Sequence, residues 1–253
     1  MIPLKEPWEL TVMRSAGGRL AEVVARLREV VAVDMTTLEL DRLTEEAILA
    51  RGAKPAFKGY KVGRAVFPSS LCVSVNEQVV HGIPSKRRLK SGDVVSLDFG
   101  LVYGGYFADT AFTVVLGTGD ADAARLVAAT EDALRLGIAQ ARVGARVGDI
   151  GHAIEMSVRP QGMGVVTQMV GHGIGRKLHE PPSVPNYGKR GTGDLLKAGM
   201  VLAVEPMITL GSDDTKILSD QWTVVTSDNS RSAHFEHTVA ITPAGPEILT
   251  RLD

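Results

Sequence analysis

From Pro7 to Val33, apolar residues recur at helical spacing (Leu10, Met13, Leu20, Val23, Val24, Leu27 and Val30), which predicts one amphipathic helix. Thr36-Thr37-Leu38-Glu39 then offers a hydroxyl cap with an acid three residues on, the pattern of a capping box. A second helix is therefore expected from Thr36 to about Arg51. The texture changes after Gly59. Short β-branched runs separated by glycines, LCVSV, VVSLDFG and YFADTAFTVV, predict strands and hairpins as far as Val115. A third helix is expected over roughly Ala121 to Ala141 and a fourth over Ile150 to Val158, stopped by Pro160. From Gly162 the strand-and-glycine texture returns and runs to Ile248. Helices, strands, helices, strands: the order predicts an α+β protein.

The two halves of that order resemble each other. His81-Gly82-Ile83 recurs as His172-Gly173-Ile174, KSGDVVSLD (Lys90 to Asp98) as KAGMVLAVE (Lys197 to Glu205), and FADT (Phe107 to Thr110) as FEHT (Phe235 to Thr238). Any one of these matches is what a turn before a buried strand produces. Three in the same order, each carrying a His or an acid, favour duplication. The expectation is one domain over residues 1–253 with similar halves of about 1–118 and 119–253, no N-terminal extension, and a pseudo-two-fold axis that gathers the matching acids at one centre.

Composition narrows the chemistry. In 253 residues, 28 Lys and Arg balance 29 Asp and Glu, so the electrostatic footprint of a dedicated nucleic-acid binder is missing. The single cysteine, Cys72, excludes an internal disulfide framework and a cysteine-rich zinc site. The start MIPLKEPWEL lacks the basic-then-apolar pattern of a secretory signal, and no 18-residue apolar stretch occurs, so a cytoplasmic protein without a membrane partner is expected.

Against that background, acids inside apolar strands stand out. Asp98 lies in VVSLDFG and Asp109 follows a reversal at Gly104-Gly105, so a hairpin is expected to set the two carboxylates side by side. Adjacent like charges repel unless something positive lies between them. Glu205 ends MVLAV, Glu236 lies in HFEHTVAIT just before another apolar strand, and His172 is flanked by glycines in GHGIG, read as freedom for unusual dihedrals and close ligand approach. Each alone is more often a capping or structural residue. Together, four carboxylates and one imidazole form a hard, oxygen-dominated donor set that two divalent ions would neutralise, favouring Mn, Fe or Co over a structural zinc. The helical zinc-protease spacing is absent, since His172 and His179 are seven residues apart. His81 and His179 are placed to donate hydrogen bonds to a substrate.

PAFKGY, CVSVNEQVVHGIP, GDVVSLDFG, FADTAFTV, GHGIGRKLHEPPSVPNYG, GMVLAVEPM and SAHFEHTVAIT together resemble the type I methionine aminopeptidases over nearly the whole chain. The resemblance implies the pita-bread fold, an antiparallel sheet covered by helices with internal pseudo-two-fold symmetry. It implies a metal-dependent exopeptidase that removes the initiator Met from nascent chains with a small second residue, a two-metal activated water attacking the scissile carbonyl. The ligands carried over are Asp98, Asp109, His172, Glu205 and Glu236, with Asp109 and Glu236 bridging two ions (Co, Mn, Fe or Zn). Glu205 serves also as base and proton shuttle, His81 contacts the scissile nitrogen, and His179 stabilises the oxyanion. The methionine pocket maps onto Tyr60, Phe67, Cys72 and Trp222, with Leu178 beside His179. A monovalent cation, Na or K, is implied near Asn76, Gln78 and Ser232. The partners expected are polypeptide N-termini; the basic run Lys86-Arg87-Arg88 reads first as a solvated loop, with the alternative that it steers the chain toward the ribosome, and the chain is expected to be a monomer. One departure bears on the rim: KVGRAV, Lys61 to Val66, lengthens the link between two pocket aromatics. Nearest in the same fold stands a prolidase-type peptidase, and in another class a metal-free binding module.

Overall fold

The computed structural model describes residues 2–252. Helix α1 spans Pro7–Val30 and buries Met13, Ala16, Leu20, Val23 and Leu27, the stripe that its spacing predicts. It stops three residues short of Val33, because Val31 is already extended and Asp34 takes a left-handed turn, its N–H donating to Leu89 O at 2.8 Å. Helix α2, Thr37–Ala50, starts at the Thr36 box: Glu39 N–H donates to Thr36 Oγ1 at 3.2 Å and Thr36 N–H to Glu39 Oε2 at 2.6 Å. Helix α3 spans Ala121–Gln140 behind an Asp120 cap. Helix α4 spans Val147–Val158 and begins three residues before the expected Ile150, its first turn closed by Arg146 N–H donating to Asp149 Oδ2 at 2.8 Å. Val147-Gly148 does not read as helical. Gly148 is there for fit, since a Cβ on it would lie 2.6 Å from Lys189 O.

Among the described residues, nine strands form the main sheet: β1 (Lys54–Pro55), β2 (Cys72–Val75), β3 (Val94–Tyr103), β4 (Tyr106–Val115), β5 (Gly171–Gly173), β6 (Glu180–Val184), β7 (Val201–Val204), β8 (Glu236–Thr242) and β9 (Gly245–Ile248). Their order is β1-β3-β4-β8-β7-β5-β6, with β2 also on β3 and β9 also on β8, and every pairing is antiparallel. The hairpin β3–β4 from the first half thus abuts β8–β7 from the second. Two smaller sheets flank the centre. In one, Met207–Thr209 lies between Gly164–Val165 and Ser232–His234; in the other, Val224–Thr226 lies between Thr215–Ile217 and Gln78–Val80.

Alternation along the strands separates two faces. Val95, Leu97, Phe99 and Leu101 of β3, Leu202 and Val204 of β7, and Val239 and Ile241 of β8 join Leu20, Val23 and Leu27 of α1 and Leu126, Ala133, Ile150 and Ile154 of α3 and α4 in one buried core. The intervening positions, Asp98, Asp109, Ala203 and Glu236 among them, face the other way. No helix of the described residues is long and apolar enough to cross a membrane.

The close seating of α1 gives a paired test. A Cβ on Gly17 would lie 2.2 Å from Leu249 O, whereas one on Gly18 meets nothing within 4 Å. Gly17→Ala should lose about 1–3 kcal/mol of stability through overpacking, while Gly18→Ala should gain up to about 1 kcal/mol of helix propensity, both read by urea unfolding. Equal effects would show that α1 does not sit against the Leu249 backbone.

Candidate metal centre and active site

The strand register arranges the site residues in two ranks. Cys72 pairs with Asp98, Asp98 with Ala111 and Ala111 with Glu236, a straight line across four strands. Val204 pairs with His237, so the next residue, Glu205, comes up beside Glu236. One step along, Gly100 pairs with Asp109, and Ala203 pairs with both Thr238 and His172. Thr238 locks the rank together: Asp109 N–H donates to its Oγ1 at 2.9 Å, and Oγ1 donates to Asp109 O at 2.8 Å. Asp98 and Asp109 therefore stand side by side as expected, as diagonal neighbours on one face of the hairpin. Small residues stand between the acids. A Cβ on Gly100 would come within 3.1 Å of Asp109 Oδ1.

The glycines around His172 have a different job from the one expected. Neither Gly171 nor Gly173 has a positive φ. A Cβ on Gly171 would lie 2.4 Å from Ala203 O, and one on Gly173 would lie 2.3 Å from Pro181 O. They allow the strands on either side to close up on the histidine.

All seven residues to which chemistry was assigned, Asp98, Asp109, His172, Glu205, Glu236, His81 and His179, line one cavity together with Tyr60, Phe67, Cys72, Leu178 and Trp222. Asp109, His172 and Glu236 each present a donor atom within 4.8 Å of the others, and Glu205 Oε1 lies 3.6 Å from His172 Nε2. Asp98 Oδ1 and Glu236 Oε1 are buried with no hydrogen-bond partner among the described residues. Burial, reinforced by neighbouring carboxylates, pushes Asp98, Glu205 and Glu236 well above the usual carboxylate range, and burial raises Asp109 to about 7. His172 is pushed down to about 3 by burial and by His179. Its Nδ1 lies 2.8 Å from Gly173 O, which fixes the N–H there and leaves the Nε2 lone pair facing Glu205. Four crowded acids, orphaned carboxylate oxygens and a neutral imidazole with an unused lone pair are the donor set that divalent cations satisfy.

The remaining histidines are held without charge. His81 adopts φ +59°, a conformation costly for a residue with a side chain. It is half-buried and driven down to about 4 by burial and by His179. Gly82 beside it leaves room for β2, as a Cβ would lie 2.2 Å from Val73 O. His179 is also lowered by burial, and its Nδ1 lies 2.6 Å from the Tyr60 hydroxyl. The rim is aromatic: Phe67 meets Trp222 edge to face at 5.2 Å, and Trp222 meets His81 at 6.4 Å. Cys72 is buried and its thiol pushed up by burial and by Asp98, so it acts as a small apolar wall. The KVGRAV segment is extruded as a two-stranded ribbon, Lys61–Val62 against Ala65–Val66. Phe67 N–H still donates to Tyr60 O at 2.8 Å, so the lengthened link leaves the rim pair together. Sequence reasoning missed two residues here. Phe57 lines the cavity and packs edge to face on Phe67; its only signal was an aromatic in PAFKGY. His234 lies 3.8 Å from Glu205 Oε2 and is pushed down to about 3 by burial and by His81.

A family model described as metallopeptidase family M24 matches residues 11–243. A methionine aminopeptidase of Clostridium perfringens (strain 13 / Type A) is 50% identical over 250 residues, which is 99% of both sequences. Methionine aminopeptidase 1 of Bacillus subtilis (strain 168) is 46% identical over 252 residues, 100% of both. The crystal structure of a methionine aminopeptidase from Thermotoga maritima superposes with a TM-score of 0.96 at 43% identity, covering 100% of each chain. The chain belongs to metallopeptidase family M24, on its methionine aminopeptidase branch, and has the pita-bread fold.

The raised acids give metal uptake a sign. Below about 7, Asp109 carries a proton in the metal-free fold that an arriving cation must expel, whereas the already neutral His172 releases none. Affinity for Mn(II) should rise with pH through about 7, by about tenfold per unit for each proton displaced, since Asp98, Glu205 and Glu236 are raised as well. Calorimetry in buffers of different ionisation enthalpy measures that release. Uptake with no proton release near pH 6 would contradict the assignment.

Proposed function

We propose that the chain is a methionyl aminopeptidase that removes the N-terminal Met of nascent polypeptides with a small second residue, and that Asp98, Asp109, His172, Glu205 and Glu236 would together hold two divalent ions. The observation that carries this reading is one cavity lined both by the five candidate ligand side chains and by an apolar cluster of Phe57, Phe67, Cys72, Leu178 and Trp222. The apolar cluster suits a thioether side chain, and the acids suit a free α-amino group. Bound at those ligands, divalent ions activate a water and polarise a carbonyl.

The protein's own groups do the rest. Glu205, buried and with its pKa raised, is suited to take the proton of the attacking water and return it to the departing amine. The Tyr60 hydroxyl lies 2.6 Å from His179 Nδ1; the role assigned to His179 has the phenol donate there, so that the ring proton sits on Nε2 and can stabilise the developing oxyanion. His81 is assigned the scissile nitrogen. Its neutral ring gives a hydrogen bond without adding repulsion against the free amine. Binding of a monovalent ion, Na or K, near Asn76, Gln78 and Ser232 is part of the same reading, supported by the left-handed Asn76, whose carbonyl accepts from Ser232 N–H at 2.8 Å. So is action as a cytoplasmic monomer at the ribosome, for which the exposed Lys86, Arg87 and Arg88 are the supporting feature.

Release of Met from Met-Ala-Ser, with Xaa-Pro dipeptides as controls and a panel of divalent ions, tests the activity. Chelation should abolish turnover and added metal restore it. Glu205→Gln should lower kcat by about 10²–10⁴-fold; near-normal turnover of that variant with metal added would remove Glu205 from its role. Tyr60→Phe should lower kcat by about tenfold with KM little changed, since it frees the His179 tautomer rather than the pocket. An unchanged kcat would remove that contact from the reading.

A further inference from the structure

His234 sits behind the metal-ligating wall. It ends the strand Ser232–His234, pairs in register with Met207, and is buried. Thr113 holds its backbone from both sides: His234 N–H donates to Thr113 Oγ1 at 2.9 Å, and Thr113 Oγ1 donates to His234 O at 2.7 Å. The ring is thus carried on a rigid mount, yet neither of its nitrogens has a hydrogen-bond partner among the described residues. An interior imidazole N–H left in that state is costly, and such groups call for an explanation. An acceptor lies within reach: Glu205 Oε2, 3.8 Å from Nε2. The other oxygen of the same carboxylate, Oε1, faces His172 Nε2 at 3.6 Å. Glu205 is therefore flanked, with one oxygen toward the metal-ligating histidine and one toward His234.

We propose that His234 is a positioning residue for Glu205: its Nε2–H donates to Glu205 Oε2 and fixes the carboxylate plane so that Oε1 stays turned to the cavity. Hydrogen bonds of catalytic groups are often long before ligands bind and tighten afterwards, and a small ring rotation closes this gap. The ring itself is absent from the cavity wall, so it acts only through Glu205. The inference rests on the role assigned to Glu205 above.

The test compares His234→Leu, which fills the space without a donor, with His234→Gln, which returns an N–H near the Nε2 position. His234→Leu should lose about 10- to 100-fold in kcat on Met-Ala-Ser, with KM within about twofold, and should bind Mn(II) more weakly by calorimetry. His234→Gln should recover most of both. Should the Leu variant fail to fold, His234→Asn replaces it: its shorter amide falls short of Glu205 and should be as impaired, so activity equal to that of the Gln variant overturns the inference. So does a Leu variant that matches wild type in kcat and metal affinity, or a Gln variant no better than Leu. A wild-type enzyme that releases no Met brings down the functional reading along with it; a fully active wild type matched by the Leu variant brings down only His234.

Discussion

Four carboxylates held on one face of a buried sheet form the constraint around which this molecule is built. Each would be tolerable ionised in water; here each keeps its charge only at a cost that a proton or a cation has to meet. Burial raises all four pKa values, and the neighbours' charge adds to the effect on three. The scaffold meets the cost from the opposite face, where alternating Val, Leu and Phe side chains seat the sheet on four helices. On the acid face the spacing is tuned by what is left out. Ala111, Ala203 and Gly100 separate the donors, and Gly171 and Gly173 let β5 pack close on both sides.

Much of this was legible because anomaly is informative. An acid in VVSLDFG or after MVLAV has no cheap structural explanation, and four such acids with one histidine outweigh the bland reading of each. Helix starts were legible where the N-cap residue itself carries an acceptor, as at Thr36, and illegible where Arg146 offers none and only Asp149 reaches back to its N–H beside a glycine. Asp98 and Asp109 were legible as neighbours, and the turn between them fixes which kind of neighbours they are. Gly104 and Gly105 form a two-residue turn with both φ positive, so Tyr103 pairs with Tyr106 and Asp98 falls opposite Ala111. Counting from the turn gives the diagonal. His234 was beyond reach, because its neighbour Glu205 is brought to it by a small sheet joining three separate segments.

The KVGRAV segment shows how such a site tolerates an insertion. Its ribbon is paired only with itself, Lys61 to Val66 and Val62 to Ala65, and the bond from Phe67 N–H to Tyr60 O closes its base. Added length therefore leaves along the ribbon while the two aromatics at its base hold their places. The same bond positions Tyr60 for His179, so the base of an exposed ribbon is tied directly to a group assigned to catalysis.

The histidines divide the work by what each Nδ1 touches. Burial keeps the rings of His172, His81 and His234 neutral, so tautomer decides function in place of charge. His172 spends its N–H on Gly173 O and presents a lone pair, the form a metal requires. For His179, Nδ1 lies 2.6 Å from the Tyr60 hydroxyl, and in the proposed reading the phenol donates there and leaves an N–H on Nε2, the form an oxyanion requires. Opposite preparations of the same side chain, set by one carbonyl and one phenol, would fit two imidazoles 4.3 Å apart for the separate roles proposed for them, ligand and proton donor, in a single pocket. Without those partners the two rings would be interchangeable in tautomer, and the cavity would lose the polarity that separates its metal side from its substrate side.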